Sequence, residues 1–330
     1  MNPRISRRAA LAGVAAATLP FARARAATEW KAYTYQPVTS QASTQAFQRM
    51  FQNFEKASGG AVRTSLHLGG SLPIAANNIT QAVSQGLVQL GDDGFNTGNI
   101  PISGILRLPM LLLNLDDMLK SMAIVAPYET SDYARKGVVM LGQYTYPFQV
   151  IFGRKKITSL ADLKGMKTRV TSVEQGELVR RFGGIPITMG TPDVAAALDR
   201  GVVDGVLTAS SGSGITWKDL LHYRYGFPTS YVNSTFVVNA AAFKALTPEQ
   251  QRELRKSAED AANWATQEMQ KQEADYTATM AKGGMTVTPA SQADIQEAAA
   301  RMKDYWPAWA KAHGPEAVEV LEKIRQAVGR

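Results

Sequence analysis

The sequence predicts an α/β protein of two lobes, joined by a two-strand hinge and overlaid by one long helix. Three observations predict it. Strand and helix patterns alternate as β-α-β-α-β from Trp30 to Gly91, the order of a mostly parallel sheet covered by helices. A second set of β-α-β units follows between Phe148 and Leu207. From Pro248 to about Lys282 a helical pattern then runs without a breaker.

Residues 1–26 read as a twin-arginine-type signal peptide and are excluded from fold reasoning. Arg4, Arg7 and Arg8 make a basic start, Ser6-Arg7-Arg8-Ala9-Ala10-Leu11 is the twin-arginine run, and Ala24-Arg25-Ala26 offers a small-residue cleavage site. The apolar run Ala9–Ala22 falls short of the roughly 20 residues that span a bilayer. Export to the periplasm follows, with a mature chain starting at Ala27. The segment carries five arginines and no acid, so its removal takes the net charge from +8 to +3. Nucleic-acid binding therefore has no support in the charge, and no basic run is interleaved with aromatics. The chain has no cysteine, which excludes disulfides, thiol catalysis and thiolate metal sites.

In the first lobe, strand Trp30–Tyr35 precedes a helix over Thr44–Ser58 with Phe47, Met50, Phe51 and Phe54 on one face and Gly59-Gly60 as its stop. Strand Val62–Leu68, helix Asn77–Gln85 and strand Val88–Gly91 come next. Separate helices over Asp116–Ala126 and Glu129–Lys136 and a strand over Val138–Tyr144 complete the lobe. Strand Phe148–Gly153 leads out of it, and Ser230–Asn239 is the return crossing, so two strands form a hinge. Thr247-Pro248-Glu249-Gln250 caps the long helix, which at 1.5 Å per residue runs about 50 Å and so lies along both lobes. Strand Met285–Thr288, a helix capped by Ser291 and a final helix from Pro315 are assigned to the second lobe. The first lobe is thus 27–148 with 237–265, and the second 149–236 with 266–330.

The chemistry concentrates in the second lobe. In strand Met166–Thr171, Lys167, Arg169 and Thr171 share one face. Ser172 and Gln175 form a capping-box pattern directly after it, and the helix they start ends near Gly183-Gly184. Ligands in open α/β sheets lie beyond the carboxyl ends of strands, where a helix N-terminus favours anions. Arg169 points a planar cation at such a place, which suits a carboxylate. The competing reading is a structural arginine tying two loops together.

Asp162-Leu-Lys-Gly-Met-Lys-Thr-Arg-Val170, followed by Ala197-Leu-Asp-Arg-Gly-Val-Val-Asp-Gly205, resembles the solute-binding proteins of tripartite ATP-independent periplasmic (TRAP) transporters. The resemblance covers essentially the whole mature chain. It implies a two-lobed periplasmic binding protein, with the long helix as a hallmark, and a two-pronged salt bridge from Arg169 to a substrate carboxylate. It implies a small-molecule organic acid as ligand and small and large integral-membrane TRAP subunits as partners, with uptake driven by an ion gradient. No cofactor, metal or nucleic acid enters, and the chain is expected to be a monomer.

Several positions depart from the family pattern. Gln149 stands where many members carry a second carboxylate-binding arginine, and it is either a weaker ligand contact or a strand filler. Thr191 and Ala195 replace a phenylalanine and a tyrosine, and Thr208 takes the place of a substrate-contacting asparagine. Trp217, Phe148, Tyr146 or a larger substrate would refill the space, which favours an aromatic or branched monocarboxylate. Tyr35 with Gln36, and Phe95 with Asn96, follow strand ends in the first lobe and are placed at the cleft by topology. Asp92-Asp93 and Asp116-Asp117 read as solvated caps, Asp204 as a structural turn residue, and Ser210–Gly214 as a flexible loop.

The alternative class is an exported α/β hydrolase or lyase acting on a small carboxylate. The sequence has no G-x-S-x-G elbow, H-E-x-x-H pair, phosphate loop or dinucleotide turn, and its three histidines are scattered. A binding protein, not an enzyme, is the expectation.

Overall fold

The computed structural model describes residues 27–330, so the expected signal peptide lies outside the described residues. The first sheet is built from β1 (Thr28–Thr34), β2 (Val62–His67), β3 (Leu90–Asp93), β4 (Val138–Thr145) and, much later in the chain, β10 (Asn233–Asn239). Their order is β2-β1-β3-β10-β4, with β10 antiparallel to both neighbours. The second sheet takes β5 (Gln149–Gly153), β6 (Lys167–Val170), β7 (Ile185–Thr188), β8 (Gly205–Thr208), β9 (Tyr223–Ser230) and β11 (Thr286–Pro289). Its order is β11-β9-β5-β8-β6-β7.

The central strands of each sheet are buried on both faces, and successive side chains alternate between the two. In β10, Phe236 and Val238 join Phe47, Met50 and Phe54 of α1 (Ala42–Ala57) on one face, while Val237 joins α2 (Ile79–Ser84) and α3 (Leu115–Arg135) on the other. In the second sheet Ile151 packs toward α4 (Val173–Arg181) and α8 (Gln292–Met302). Val150 and Phe152 pack toward α5 (Val194–Asp199). The short α6 (Ala240–Lys244) follows β10 with Asn239 as its cap.

The long helix, α7, runs Pro248–Lys282 and is opened by a capping box between Thr247 and Gln250. Its 35 residues span about 52 Å at 1.5 Å per residue. Leu254, Ala258, Ala261, Ala265 and Met269 enter the first-lobe core, and Met280 enters the second. Helix length alone thus carries it across both lobes. Among the described residues no helix is long and apolar enough to cross a membrane.

Three assignments are corrected. The two helices expected around residue 127 are one, α3, with Pro127 inside it. Proline removes a single amide donor, and the buried Met118, Met122, Val125 and Tyr133 carry packing through the interruption. The last helices, α9 (Tyr305–Ala312) and α10 (Pro315–Ala327), belong with the first lobe: Trp309, Val320, Leu321 and Ile324 share its core with α3. Their apolar stripe packs on α3, which itself covers the sheet face opposite α1. The return to the first sheet also comes at Asn233 rather than after residue 236, so β10 lies wholly in that lobe.

Candidate functional site

The strand links Tyr146–Phe148 and Tyr231–Val232 bring the two lobes together over a narrow cavity of about 30 Å³. The first lobe contributes Tyr35, Gln36, Gly94 and Phe95, and the links contribute Tyr146 and Val232. The second lobe contributes Gln149, Arg169, Thr171, Thr191, Thr208, Gly212 and Ser213.

Arg169 lies on β6, an interior strand, paired with Ile187 of β7 and Val206 of β8. Only 2% of it is exposed. Its Nε donates to the Met189 carbonyl at 3.0 Å, and one terminal nitrogen reaches Thr191 Oγ1 at 3.5 Å. Phe95 and Trp217 flank the guanidinium, with ring centroids 5.7 and 5.6 Å away. Burial pulls its pKa down to about 10, so it remains cationic at neutral pH. Among the described residues no carboxylate forms a salt bridge with it, and only the neutral phenols Tyr35 and Tyr146 offset the burial. A buried cation without a counter-ion is costly, and the cavity beside it is where an anion would fit.

The opposite wall is polar and neutral. The Tyr35 and Tyr146 hydroxyls are 2.7 Å apart, and Gln36 Nε2 donates to Tyr146 at 2.9 Å. Burial raises both phenols, so they stay protonated. Gly94 is required here, because a Cβ would meet the Tyr35 ring at 2.4 Å.

A buried network stands behind this wall. Asp92 accepts from Thr34 Oγ1 at 2.8 Å, Tyr144 at 2.9 Å and Ser234 at 2.6 Å. Asp93 accepts from Thr80 at 2.5 Å and Tyr133 at 3.3 Å. Burial pushes the two carboxyls up to about 6 and about 7, respectively. The expectation of solvated caps at this pair is therefore wrong: both are fully buried. Asp116 and Asp117 do occupy the first turn of α3. Arg107, also fully buried, donates to the Gly94 and Asn233 carbonyls at 2.9 and 3.0 Å and so positions the loop that carries Phe95.

The serine-rich stretch is likewise not a loose loop. Ser210–Gly214 forms a buried turn kinked at Gly212. Glu273 of α7 clasps it, accepting from the Ser210 and Ser211 amides at 3.0 and 2.8 Å and from Ser211 Oγ at 2.9 Å. The turn sets Ser213 N on Thr208 Oγ1 at 3.2 Å, which fixes that part of the cavity wall. Across the lobe boundary, Trp309 Nε1 donates to Glu174 Oε1 at 3.2 Å.

With this geometry in hand, comparison with known proteins is decisive. A family model described as bacterial extracellular solute-binding protein, family 7, matches residues 34–312. The chain belongs to this family. Among curated relatives, a solute-binding protein of Albidiferax ferrireducens is 24% identical over 303 residues, covering 87% of this chain and 88% of that protein. Among solved structures, an extracytoplasmic solute receptor of Bordetella pertussis that binds pyroglutamic acid superposes with a TM-score of 0.84 at 25% identity, covering 91% of this chain and 100% of that one. A TRAP periplasmic solute-binding protein from Roseobacter denitrificans, solved with β-D-glucuronate, gives 0.79 at 21% identity, covering 90% and 99%. The two-lobed α/β fold with its long helix is that of TRAP solute receptors, a family of binding proteins rather than enzymes.

Of the residues expected at the site of this family 7 receptor, Arg169, Gln149, Thr208, Tyr35, Phe95 and Thr191 all line the one cavity. Asn96 does not. Its side chain is fully buried behind the wall and donates to Ser103 at 3.1 Å and Tyr133 at 3.0 Å. Trp217 sits in the second-lobe core beside Arg169 and is not on the cavity wall. Gln149 turns its amide onto the Pro147 carbonyl at 3.0 Å. Sequence reasoning missed Thr171, Gly94 and Ser213 as wall residues. Thr171 had a signal, because it shares a strand face with Arg169. Asp204 is structural, accepting from Lys167 N at 3.1 Å and pairing with Lys155 at 2.9 Å. Among the described residues no group of three or more His, Cys, Asp or Glu side chains is arranged to hold a metal ion.

Proposed function

We propose that this chain is a periplasmic TRAP receptor for a compact organic monocarboxylate. It is exported with cleavage near Ala26, closes about its two strand links, and delivers the acid to small and large membrane subunits for ion-gradient-driven uptake. The observation that carries this reading is Arg169: a buried cation without a counter-ion, held in place by Met189 and Thr191 at the edge of the cavity between the lobes.

Charge balance argues for a single carboxylate. One buried cation neutralises one anion, and a second carboxylate would face Tyr35, Tyr146 and Gln36 without a positive partner. Size argues for a small acid, because Tyr35, Phe95 and Tyr146 narrow the cavity beside Thr191 and Thr208, while Ala195 is exposed and opens no space in it. A compact acid replaces the bulkier aromatic or branched acid expected from the sequence. The pyroglutamic acid bound by the Bordetella pertussis receptor is a compact acid with a single carboxylate.

A thermal-shift panel of mono-, di- and keto-carboxylates on the mature protein and on Arg169→Ala tests the proposal. At about 100 times its dissociation constant a ligand adds about 2.7 kcal/mol, a rise of several degrees. Rises confined to small monocarboxylates and abolished in Arg169→Ala are expected. Rises that persist in the variant would remove the role given to Arg169.

A further inference from the structure

We propose that the ligand's second recognition point is a hydrogen-bond donor, an N–H or O–H near its carboxylate, and that Gln36 Oε1 accepts from it. The inference rests on the monocarboxylate reading above and deepens it. Gln36 is 2% exposed and lines the cavity. Its Nε2 is committed to the Tyr146 hydroxyl at 2.9 Å, and its Oε1 is buried without a partner among the described residues.

Hydrogen counting supports this assignment of the amide, with its nitrogen on Tyr146 and its oxygen as the free end. Four contacts run in a chain: Tyr144 to Asp92 at 2.9 Å, Tyr144 with Tyr146 at 3.4 Å, Tyr146 with Tyr35 at 2.7 Å, and Gln36 with Tyr146 at 2.9 Å. The three phenols supply three hydrogens, and an ionised Asp92 supplies none. The fourth hydrogen must come from the Gln36 amide nitrogen. Reversing the amide would turn the Tyr146 hydrogen to Gln36 and leave the Tyr144–Tyr146 oxygen pair, 3.4 Å apart, with no hydrogen between them. Above the shifted pKa of Asp92, about 6, the order is therefore set, and Gln36 presents an acceptor. In the same order Tyr35 spends its hydrogen on Tyr146 and also shows the cavity an oxygen lone pair.

The site thus offers a cation from the second lobe and acceptors from the first. An α-hydroxy acid or a lactam acid satisfies both. A keto acid or a lactone acid of the same shape sets oxygen against oxygen and leaves Gln36 Oε1 buried and unpaired.

Calorimetric titration at mildly alkaline pH, on protein stripped of ligand by unfolding and refolding, tests this with two matched pairs. The first is L-pyroglutamate against the lactone acid in which a ring oxygen replaces its N–H. The second is L-lactate against pyruvate. In the wild type the donor-bearing member of at least one pair is expected to bind about tenfold tighter or more, and in Gln36→Leu that preference should collapse. Equal affinity within each pair, or preference for the acceptor-bearing member, overturns the inference and leaves the carboxylate reading standing. Failure of all four acids to bind, or binding indifferent to Arg169→Ala, overturns the carboxylate reading and this inference with it. The wild-type comparison needs no variant, so a poorly folding Gln36→Leu does not blunt the test.

Discussion

Replacing Arg169 by methionine removes the charge while keeping much of the volume, and it should separate ligand affinity from stability in opposite directions. In the ligand-free cavity the guanidinium makes one good hydrogen bond, to Met189 at 3.0 Å, and one long one, to Thr191 at 3.5 Å. The rest of its donor fork is free for a carboxylate. Two charge-assisted bonds at about 1.5–3 kcal/mol each give about 3–6 kcal/mol, or about 10²- to 10⁴-fold in affinity. Against the ligand-free protein the sign differs. The variant loses the charge-assisted bond to Met189, about 1.5–3 kcal/mol, but also sheds a desolvated charge with no counter-ion, which offsets it. Ligand-free stability is expected to hold or rise. Calorimetric titration and urea melts of wild type and Arg169→Met measure the two quantities. A ligand-free loss above about 2 kcal/mol with affinity within a few-fold of wild type would make Arg169 a structural tie and refute the reasoning.

Further expectations follow from the surroundings of the site. Asp92 and Asp93 are raised by burial to about 6 and about 7, so between those values and the ordinary carboxylate range the folded state binds more protons than the unfolded one. Stability should therefore increase as pH falls from mildly alkaline through that window; Asp93→Asn should flatten the profile, and a profile with no gain toward acid would contradict the burial. Glu273→Ala leaves the Ser210 and Ser211 amides unpaired, and at about 1–3 kcal/mol per lost partner urea melts should show about 2–6 kcal/mol less stability. Gly94→Ala drives a methyl into the Tyr35 ring, 2.4 Å from the added carbon. It should weaken acid binding at least about tenfold with a smaller change in the ligand-free melt, measured by the same titration.

The features legible in the sequence are those whose causes are local. Thr247, Pro248 and Gln250 sit within four residues of one another, and the box they promise is there. Arg169 is placed by a strand and cap written side by side, although Gln175 turns its side-chain oxygen to Thr171 N at 2.9 Å rather than to the Ser172 amide. What escaped reading depends on partners far along the chain. Asp92 looks like a surface turn until Tyr144 and Ser234 close over it. The Ser210–Gly214 turn looks mobile until Glu273 arrives from 62 and 63 positions away. The final helix carries an apolar stripe that either lobe could bury, and no local signal says which.

The return of α9 and α10 to the first lobe has a consequence for how the chain is assembled. The polypeptide passes between the lobes through the β4–β5 link, the β9–β10 link, α7 and the α8–α9 link. Neither core is then encoded by a continuous stretch. The first lobe lacks Val320, Leu321 and Ile324 until nearly the whole chain has been made, and the second lacks Ala298 and Met302 until shortly before. With so many contacts distant in sequence, folding is expected to be slow and to finish late. Both lobes should melt in one transition, and neither should survive expression as a fragment. A protein built this way leaves its synthesis with no half that can fold first.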